Sequence, residues 1–232
     1  MIDMPRLVVM LTHHDLTVTT ARDVFEMCAG SGAEYYGMKE KPLPPDELKA
    51  LYARMKELGK TTVLESVTYT EDEGMASARK AAECGCDILM GTVFSDNINL
   101  FCLDHNIRYM PFVGDVAGRP SVLGGSADGI IAEAKSCLDK GVFGIDLLAY
   151  RFEGGHSELL RRFMTAIKAP VCIAGSVDST SRLDELRRYR PWGFTIGGAF
   201  FENRFGGAFP EQIDNVISYM KNGTHNAVKR GA

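Results

Sequence analysis

The chain has 232 residues, 45% of them hydrophobic and 24% charged, which is the composition of a globular protein long enough to bury a sizeable core. Its net charge of −4 argues against nucleic acid as the main partner. There is no apolar run of the roughly 18 residues that a membrane span needs, so we expect no membrane insertion. The residues Met1–Arg6 lack the basic and apolar segments of a secretion signal, so we expect a cytoplasmic protein.

The six cysteines lie mostly within apolar or helical segments, so we expect reduced, buried thiols. Cys84 and Cys86 form a C-x-C pattern with no second pair, which is a weak signal for a metal. We therefore predict neither a metal site nor another cofactor.

Continuous apolar runs, typical of strands buried on both faces, alternate along the chain with segments of helical period. The predicted strands are Arg6–Leu11, Glu34–Met38, Thr61–Ser66, Asp87–Met90, Ile107–Val113, Val142–Leu148 and two more that begin at Pro170 and Trp192. The predicted helices are Thr19–Ala29, Asp46–Leu58, Glu71–Cys84, Asn97–Asp104, Ala127–Asp139, Ser157–Ile167, Arg182–Arg190 and Pro210–Lys221.

Strands follow one another every 25 to 35 residues or so, about the length of one βα unit. Eight such units without a linker predict an α/β protein with a single (β/α)8 TIM barrel over residues 1–232, with a frayed tail from about residue 223. The alternative is an open doubly wound sheet, which favours a glycine-rich turn after the first strand. The first strand here ends in Thr12-His13-His14-Asp15, without glycine, so the barrel is favoured.

Two turns of small residues follow the last two predicted strands, at Gly175-Ser176 and at Gly197-Gly198. Glycine has no Cβ to block an approaching anion, and the start of a following helix offers unpaired N–H groups. Barrel phosphate sites commonly lie at these two strand ends, so we predict that Gly175, Ser176, Gly197 and Gly198 bind a phosphate. The alternative is that small residues only permit tight turns.

Polar residues at strand ends face the active-site end of a barrel. Glu65 ends the third apolar run and is a candidate general base, or else the salt-bridge partner of Lys39 on the neighbouring strand. Lys39 is a candidate for holding a substrate oxyanion. The segment Lys39-Glu40-Lys41 looks too solvated for a Schiff base, so an electrostatic role is favoured.

Three further residues are candidates for acid–base chemistry. Asp115 follows the fifth strand, where the alternative is an Asx-turn or a helix cap. Asp146 lies within the sixth strand and needs either a structural partner or a function, because burying an unpaired aspartate is costly. His13 and His14 are adjacent on a strand, so only one is expected to reach the barrel centre, where His13 is a candidate acid or base.

The second half of the chain, roughly residues 110 to 205, resembles the ribulose-phosphate-binding barrels, and among them most closely the aldose–ketose isomerase of histidine biosynthesis. The resemblance rests on four segments: Gly154–Leu160, Ala169–Val177, Leu183–Leu186 and Phe194–Glu202. It implies a phosphate held by Gly175, Ser176, Gly197 and Gly198. The Gly114-Asp115 pair also resembles the strand-five region of that isomerase, which implies an acid–base role for Asp115.

The chain departs from that family in its first half. The isomerase has an acidic residue at the end of its first strand, whereas Thr12-His13-His14 stands here, and no second glycine pair follows the third or fourth strand. The Asp-x-Lys-x-x-Asp run of the decarboxylases and the metal pattern of the pentose-phosphate epimerases are also missing.

These patterns predict an enzyme that isomerises or epimerises a small phosphorylated sugar or sugar acid through an enediol. The alternatives are an aldol-type lyase, with Lys39 forming a Schiff base, and a non-catalytic protein that binds a phosphorylated metabolite. Barrels of this kind often self-associate, and apolar residues near Phe200, Phe201 and Phe205 suggest a homo-oligomeric contact.

Overall fold

The computed structural model describes residues 4–222, and in them eight parallel strands form one sheet. We number these strands β1 to β8. They are β1 (Arg6–Met10), β2 (Tyr35–Met38), β3 (Thr61–Thr68), β4 (Ile88–Thr92), β5 (Arg108–Met110), β6 (Ile145–Leu147), β7 (Val171–Ile173) and β8 (Gly193–Ile196). Their spatial order is β6-β7-β8-β1-β2-β3-β4-β5.

The two outer strands of this order, β5 and β6, meet and close the sheet into a barrel. Phe112, just after β5, forms a parallel bridge with Asp146 of β6. The backbone N–H of Asp146 donates to the carbonyl of Pro111 over 2.9 Å, and that of Phe143 donates to Tyr109 over 3.0 Å. The predicted (β/α)8 barrel is therefore confirmed.

Helices connect the strands on the outside of the barrel. They are α1 (Ala21–Cys28), α2 (Pro45–Glu57), α3 (Glu71–Glu83), α4 (Asp96–Asp104), α5 (Ala127–Asp139), α6 (His156–Ala166), α7 (Thr180–Tyr189), α8 (Gly198–Phe201) and α9 (Phe209–Asn222). The four-residue α8 was not predicted, because one turn gives no periodic pattern. The tail predicted to fray lies outside the described residues. None of the described helices is long and apolar enough to cross a membrane.

The buried side chains form two clusters. A small cluster fills the barrel interior with Val8, Met10, Val63, Ile88, Met90, Met110 and Cys172. A larger cluster packs the outer face of the strands against the helices. All six cysteines are buried and free, as expected. Phe200 and Phe205 are also buried, at 1% and 2% exposure, so these two side chains are not available for the suggested contact. Phe201 is half-buried, and self-association stays a prediction.

Two short hairpins extend the C-terminal end of the barrel and were not predicted. The first hairpin pairs Thr12–His13 with Leu16–Thr17, directly after β1. The second hairpin pairs Asp115–Ala117 with Val122–Gly124, after β5. Strands of two or three residues are too short for alternation to show, so the sequence pattern did not reveal them.

Both hairpins are tied to the barrel by hydrogen bonds. In the first, the Thr17 hydroxyl donates to the Lys39 carbonyl and accepts from the Lys39 N–H, both over 2.8 Å. At the second, the Tyr69 hydroxyl donates to the Gly118 carbonyl over 2.6 Å and contacts the Ser121 hydroxyl at 2.8 Å. These bonds hold the base of the first hairpin and the loop of the second near the mouth of the barrel.

Candidate functional site at the C-terminal end of the barrel

A cavity of about 690 Å³ lies at the C-terminal ends of the strands, where a TIM barrel carries its active site. Its size is in the range of small-molecule sites. The predicted site residues that line it are His13, Lys39, Glu65, Gly175, Ser176, Gly197 and Gly198. Other polar residues at its wall are Thr12, His14, Asp15, Arg119, Arg151, Asp178, Thr195 and Glu202.

Lys39 and Glu65 bring opposite charges to the buried part of this cavity. On β3, Val63 and Glu65 lie two residues apart, so both point inward, and Val63 belongs to the interior cluster. The same alternation on β2 carries Lys39 inward at the end of the strand. Lys39 is only 7% exposed and Glu65 only 8%, so both charges act where water screens them weakly.

The partner of Lys39 is Asp15, at the tip of the first hairpin. Arg119, from the second hairpin, places its Nη1 atom 3.8 Å from Oδ2 of the same aspartate. Its Nη2 atom donates to the Val67 carbonyl over 3.0 Å, which holds the guanidinium in place. The expectation of a solvated Lys39 is therefore wrong, because the hairpin folds over it, and Asp15 rather than Glu65 forms its ion pair.

Asp146 lies in β6 with 1% exposure, and neither of its carboxyl oxygens has a side-chain hydrogen-bond partner. Burial, and next the negative charge of Glu65, raise the pKa of Asp146 well above its usual range, although the charges of Lys39 and Arg151 oppose this. Burial of this kind favours the uncharged form of a carboxyl group. Among residues 4–222 no side chain gives it a hydrogen bond, although the Gly91 backbone also favours its ionised form.

The two small-residue turns meet at one wall of the cavity. Gly175 and Ser176 both have positive φ angles, of 76° and 57°, and the second value is unusual for a residue with a side chain. Arg151 donates from Nε to the Ser176 hydroxyl over 3.1 Å. A Cβ atom at position 175 would lie only 2.8 Å from that Nε, so glycine leaves room for the arginine.

The turn after β8 is equally crowded. A Cβ atom on Gly197 would lie 2.7 Å from the Thr12 hydroxyl oxygen and 2.9 Å from the Thr12 carbonyl oxygen. Glycine at this position therefore lets β8 run close beside the first hairpin. Sequence reasoning did not assign Arg151, since an arginine after a strand has no distinctive pattern.

The two histidines do not point to opposite faces, which corrects that expectation. His14 has a φ angle of 48° and lies in the hairpin turn, so the alternation of a strand does not apply to it. The rings of His13 and His14 contact each other with centroids 3.8 Å apart and planes tilted by 32°, and both residues line the cavity. His13 Nε2 lies 3.7 Å from a carboxylate oxygen of Glu202.

Asp115 does not join the other predicted residues. It is exposed in the second hairpin and is not among the residues that line the cavity. Gly114, with a φ angle of 82°, turns the chain out of the barrel into this hairpin. We therefore leave Asp115 out of the proposed site. Among residues 4–222 there is no group of three His, Cys, Asp or Glu side chains that could hold a metal ion.

Neither a protein-family model nor a curated protein matches the chain. The chain does match solved structures in fold. Tryptophan synthase from M. tuberculosis is 13% identical, with a TM-score of 0.63 over 97% of this chain and 94% of that chain. The N-acetylmannosamine-6-phosphate 2-epimerase from Clostridium perfringens is 12% identical, with a TM-score of 0.62 over 92% of each chain. The native KDPGal structure is 10% identical, with a TM-score of 0.67 over 93% of this chain and 94% of that chain.

The chain is a (β/α)8 barrel. At identities this low the likeness shows the fold alone, because barrels of one shape carry many chemistries. The finer resemblance to the histidine-biosynthesis isomerase stays a prediction.

Proposed function

We propose that this protein is an enzyme that isomerises or epimerises a small phosphorylated sugar or sugar acid through an enediol-type intermediate. The observation that carries the proposal is a single cavity in which a buried acid and a buried lysine, Glu65 and Lys39, share space with the turns at Gly175 and Gly197. Such a reaction needs a base, a cation for the developing oxyanion and an anchor for the rest of the substrate.

The acid–base steps fall to Glu65, the buried carboxyl group that lines the cavity. Glu65 removes the proton from the carbon next to the substrate carbonyl, and the Lys39 ammonium stabilises the negative charge that develops on the carbonyl oxygen. Burial, and next the charge of Glu65, raise the pKa of Asp146, which favours its uncharged form behind Glu65. Asp146 does not itself line the cavity, so Glu65 keeps the proton that it removes and returns it to the neighbouring carbon, and His13 at the cavity wall is a further candidate for proton transfer.

The phosphate anchor is the wall formed by Gly175, Ser176, Gly197 and Gly198, with Arg151 beside it. Backbone N–H groups in turns with positive φ angles point together and favour an anion. The Arg151 guanidinium adds a positive charge and donors that suit phosphate oxygens. Likeness in fold to an epimerase whose name includes a sugar phosphate is consistent with this assignment.

Proton removal next to a carbonyl leaves a signature that does not depend on knowing the product. We would incubate the protein in deuterated water with a panel of four- to six-carbon ketose, aldose and sugar-acid phosphates and follow the C–H signals by NMR. Deuterium uptake at the carbon next to the carbonyl, with appearance of an isomer or epimer, is the expected result. Tight binding of a panel member with no exchange and no turnover would instead identify a non-catalytic binding protein.

The burial of Lys39 favours a second candidate, an aldol-type lyase. A lysine that is 7% exposed meets the need of a Schiff base for a dry pocket, contrary to the expectation of a solvated segment. Condensation of its neutral amine with the substrate carbonyl would release water, and Asp15 beside it would have to take the ammonium proton first. Borohydride reduction in the presence of substrate distinguishes the two candidates. A stable adduct on Lys39, found by mass spectrometry, would replace the isomerase proposal with the lyase.

A further inference from the structure

The tip of the first hairpin brings one carboxylate of the protein between two cations of the cavity. Asp15 Oδ1 contacts the Lys39 ammonium, and Asp15 Oδ2 lies 3.8 Å from Arg119 Nη1. The two cations come from different parts of the chain, β2 and the second hairpin. Both are positioned by backbone contacts of their own, Lys39 through Thr17 and Arg119 through the Val67 carbonyl.

Asp15 fills the space between these cations incompletely. Its Oδ2 atom is buried and has no hydrogen-bond partner, because 3.8 Å is beyond hydrogen-bonding distance. One oxygen is thus bound to Lys39 while the other stops short of Arg119. A carboxylate that is not tied to the hairpin backbone can place one oxygen on each cation, and charge-assisted bonds of this kind are the strong ones.

The backbone that carries Asp15 is itself unusual. Thr12 pairs with Thr17 and His13 with Leu16, which leaves His14 and Asp15 as a two-residue loop. Both have positive φ angles, 48° and 66°, in a turn that normally favours asparagine and glycine. Strained residues of this type collect at sites where a ligand is bound or a segment moves.

We infer that Lys39 and Arg119 form a binding site for a carboxylate of the substrate, and that Asp15 is the internal group which that carboxylate displaces. The substrate is then a sugar acid with a phosphate at its other end, rather than a neutral sugar phosphate. An ammonium has three donors, so Lys39 can contact the carboxylate and an adjacent carbonyl oxygen together. The inference rests on the proposed function, because the phosphate wall fixes the opposite end of the ligand.

The test compares ligands that differ only in the carboxylate. By calorimetry we would titrate the protein with erythritol 4-phosphate and 4-phosphoerythronate, and with ribitol 5-phosphate and 5-phosphoribonate. We expect tighter binding of the acid in each pair. Asp15→Asn should strengthen binding of the acids by about tenfold and change that of the polyols by less than about threefold, because a competing charge is removed.

Two further variants and one control separate a carboxylate site from other effects of charge. Glu202→Gln also removes a carboxylate from the cavity wall, so an equal gain in acid binding there would mean that only the net charge matters and would overturn the inference. Arg119→Met, at a side chain that is 58% exposed, should abolish the preference for acids without harming the fold. Arg108→Met is the matched control. Arg108 is the first residue of β5, at the other end of the barrel, and its guanidinium lies over the ring of Phe143.

The outcomes also distinguish this inference from the proposed function beneath it. Equal binding of acid and polyol in the wild-type protein and in Asp15→Asn would be consistent with the proposed phosphate site but would overturn the carboxylate site. No binding of either compound to any variant would overturn both. Thermal unfolding of each variant identifies a folding defect, and Arg119→Met alone decides the matter if Asp15→Asn does not fold.

Discussion

Asp146 and Glu65 place two carboxyl groups in one barrel interior, and the charge of Glu65 is second only to burial in raising the pKa of Asp146. When two acids interact in a dry environment, the ionisation of one opposes that of the other. Asp146, with 1% exposure and no side-chain hydrogen bond to its carboxyl group, is the one whose uncharged form these surroundings favour.

The first prediction concerns the pH dependence of stability. Since the pKa of Asp146 is higher in the folded than in the unfolded chain, the folded state binds more protons, and its stability falls as pH rises above about 4 toward the raised pKa. Asp146→Asn removes this slope, which amounts to about 1.4 kcal/mol per pH unit in that interval. Urea unfolding from pH 4 to 9 measures it, and the variant should be the more stable protein at high pH.

Asp87 is a control of opposite sign. Burial alone would raise the pKa of Asp87, but hydrogen bonds from the Thr62 N–H and hydroxyl, over 2.8 and 2.7 Å, and from Lys56 keep it low. Asp87→Asn should therefore lower stability at neutral pH and have little effect at acid pH. Identical pH profiles for the two variants would show that neither carboxyl behaves as its surroundings require.

The barrel itself could be predicted from the sequence because each buried parallel strand is a continuous apolar run. Val63, Glu65 and Lys39 could also be placed, since alternation along β2 and β3 decides which side chains face inward. The relation between Lys39 and Asp15 could not. It depends on a two-residue hairpin whose loop, His14-Asp15, lacks the glycine that usually marks such a turn.

Asp115 is a residue that the sequence predicted for the site and that the structure places outside it. A resemblance in the second half of the chain implied an acid after the fifth strand, and the residue type is present. The glycine at 114 then turns the chain into a hairpin, which leaves Asp115 exposed. A one-dimensional motif carries residue identity, whereas the direction of a side chain depends on the backbone angles of its neighbours.

The second prediction tests the proposed base. Glu65→Gln keeps the size of the side chain but removes the group that takes the proton, so turnover of an identified substrate should fall by about 10²- to 10⁴-fold. Deuterium exchange into the substrate should fall with it, while phosphate-dependent binding remains. Glu57→Gln, on the exposed face of α2, should leave both rates unchanged. Wild-type exchange in Glu65→Gln would assign the base to another residue.

The third prediction concerns the ion pair of Lys39 and Asp15, whose side chains are 8% and 23% exposed. Lys39→Met leaves a mostly buried carboxylate without its partner and should cost about 1–3 kcal/mol of unfolding free energy. The double variant with Asp15→Asn should cost less than the sum of the two single changes. The exposed pair Glu158–Arg161 is the control, and its double-mutant cycle should show no measurable coupling. Additive costs for Lys39 and Asp15 would mean that the pair does not stabilise the fold.

The fourth prediction separates two adjacent glycines, Gly197 and Gly198, at the proposed phosphate wall. An added Cβ on Gly197 would lie 2.9 Å from the Thr12 carbonyl oxygen, a backbone atom that cannot move aside freely, so Gly197→Ala should lower the unfolding free energy by about 1–3 kcal/mol. On Gly198 the nearest atom is His13 Cδ2 at 3.5 Å, so Gly198→Ala should fold normally while its methyl group weakens phosphate binding. Gly30→Ala, with nothing within 4 Å, controls for the change of residue type.

Equilibrium unfolding and calorimetric titration with inorganic phosphate measure the two effects. Unchanged phosphate affinity in Gly198→Ala would place the anion elsewhere, because a methyl group on a wall that cradles phosphate oxygens must displace them.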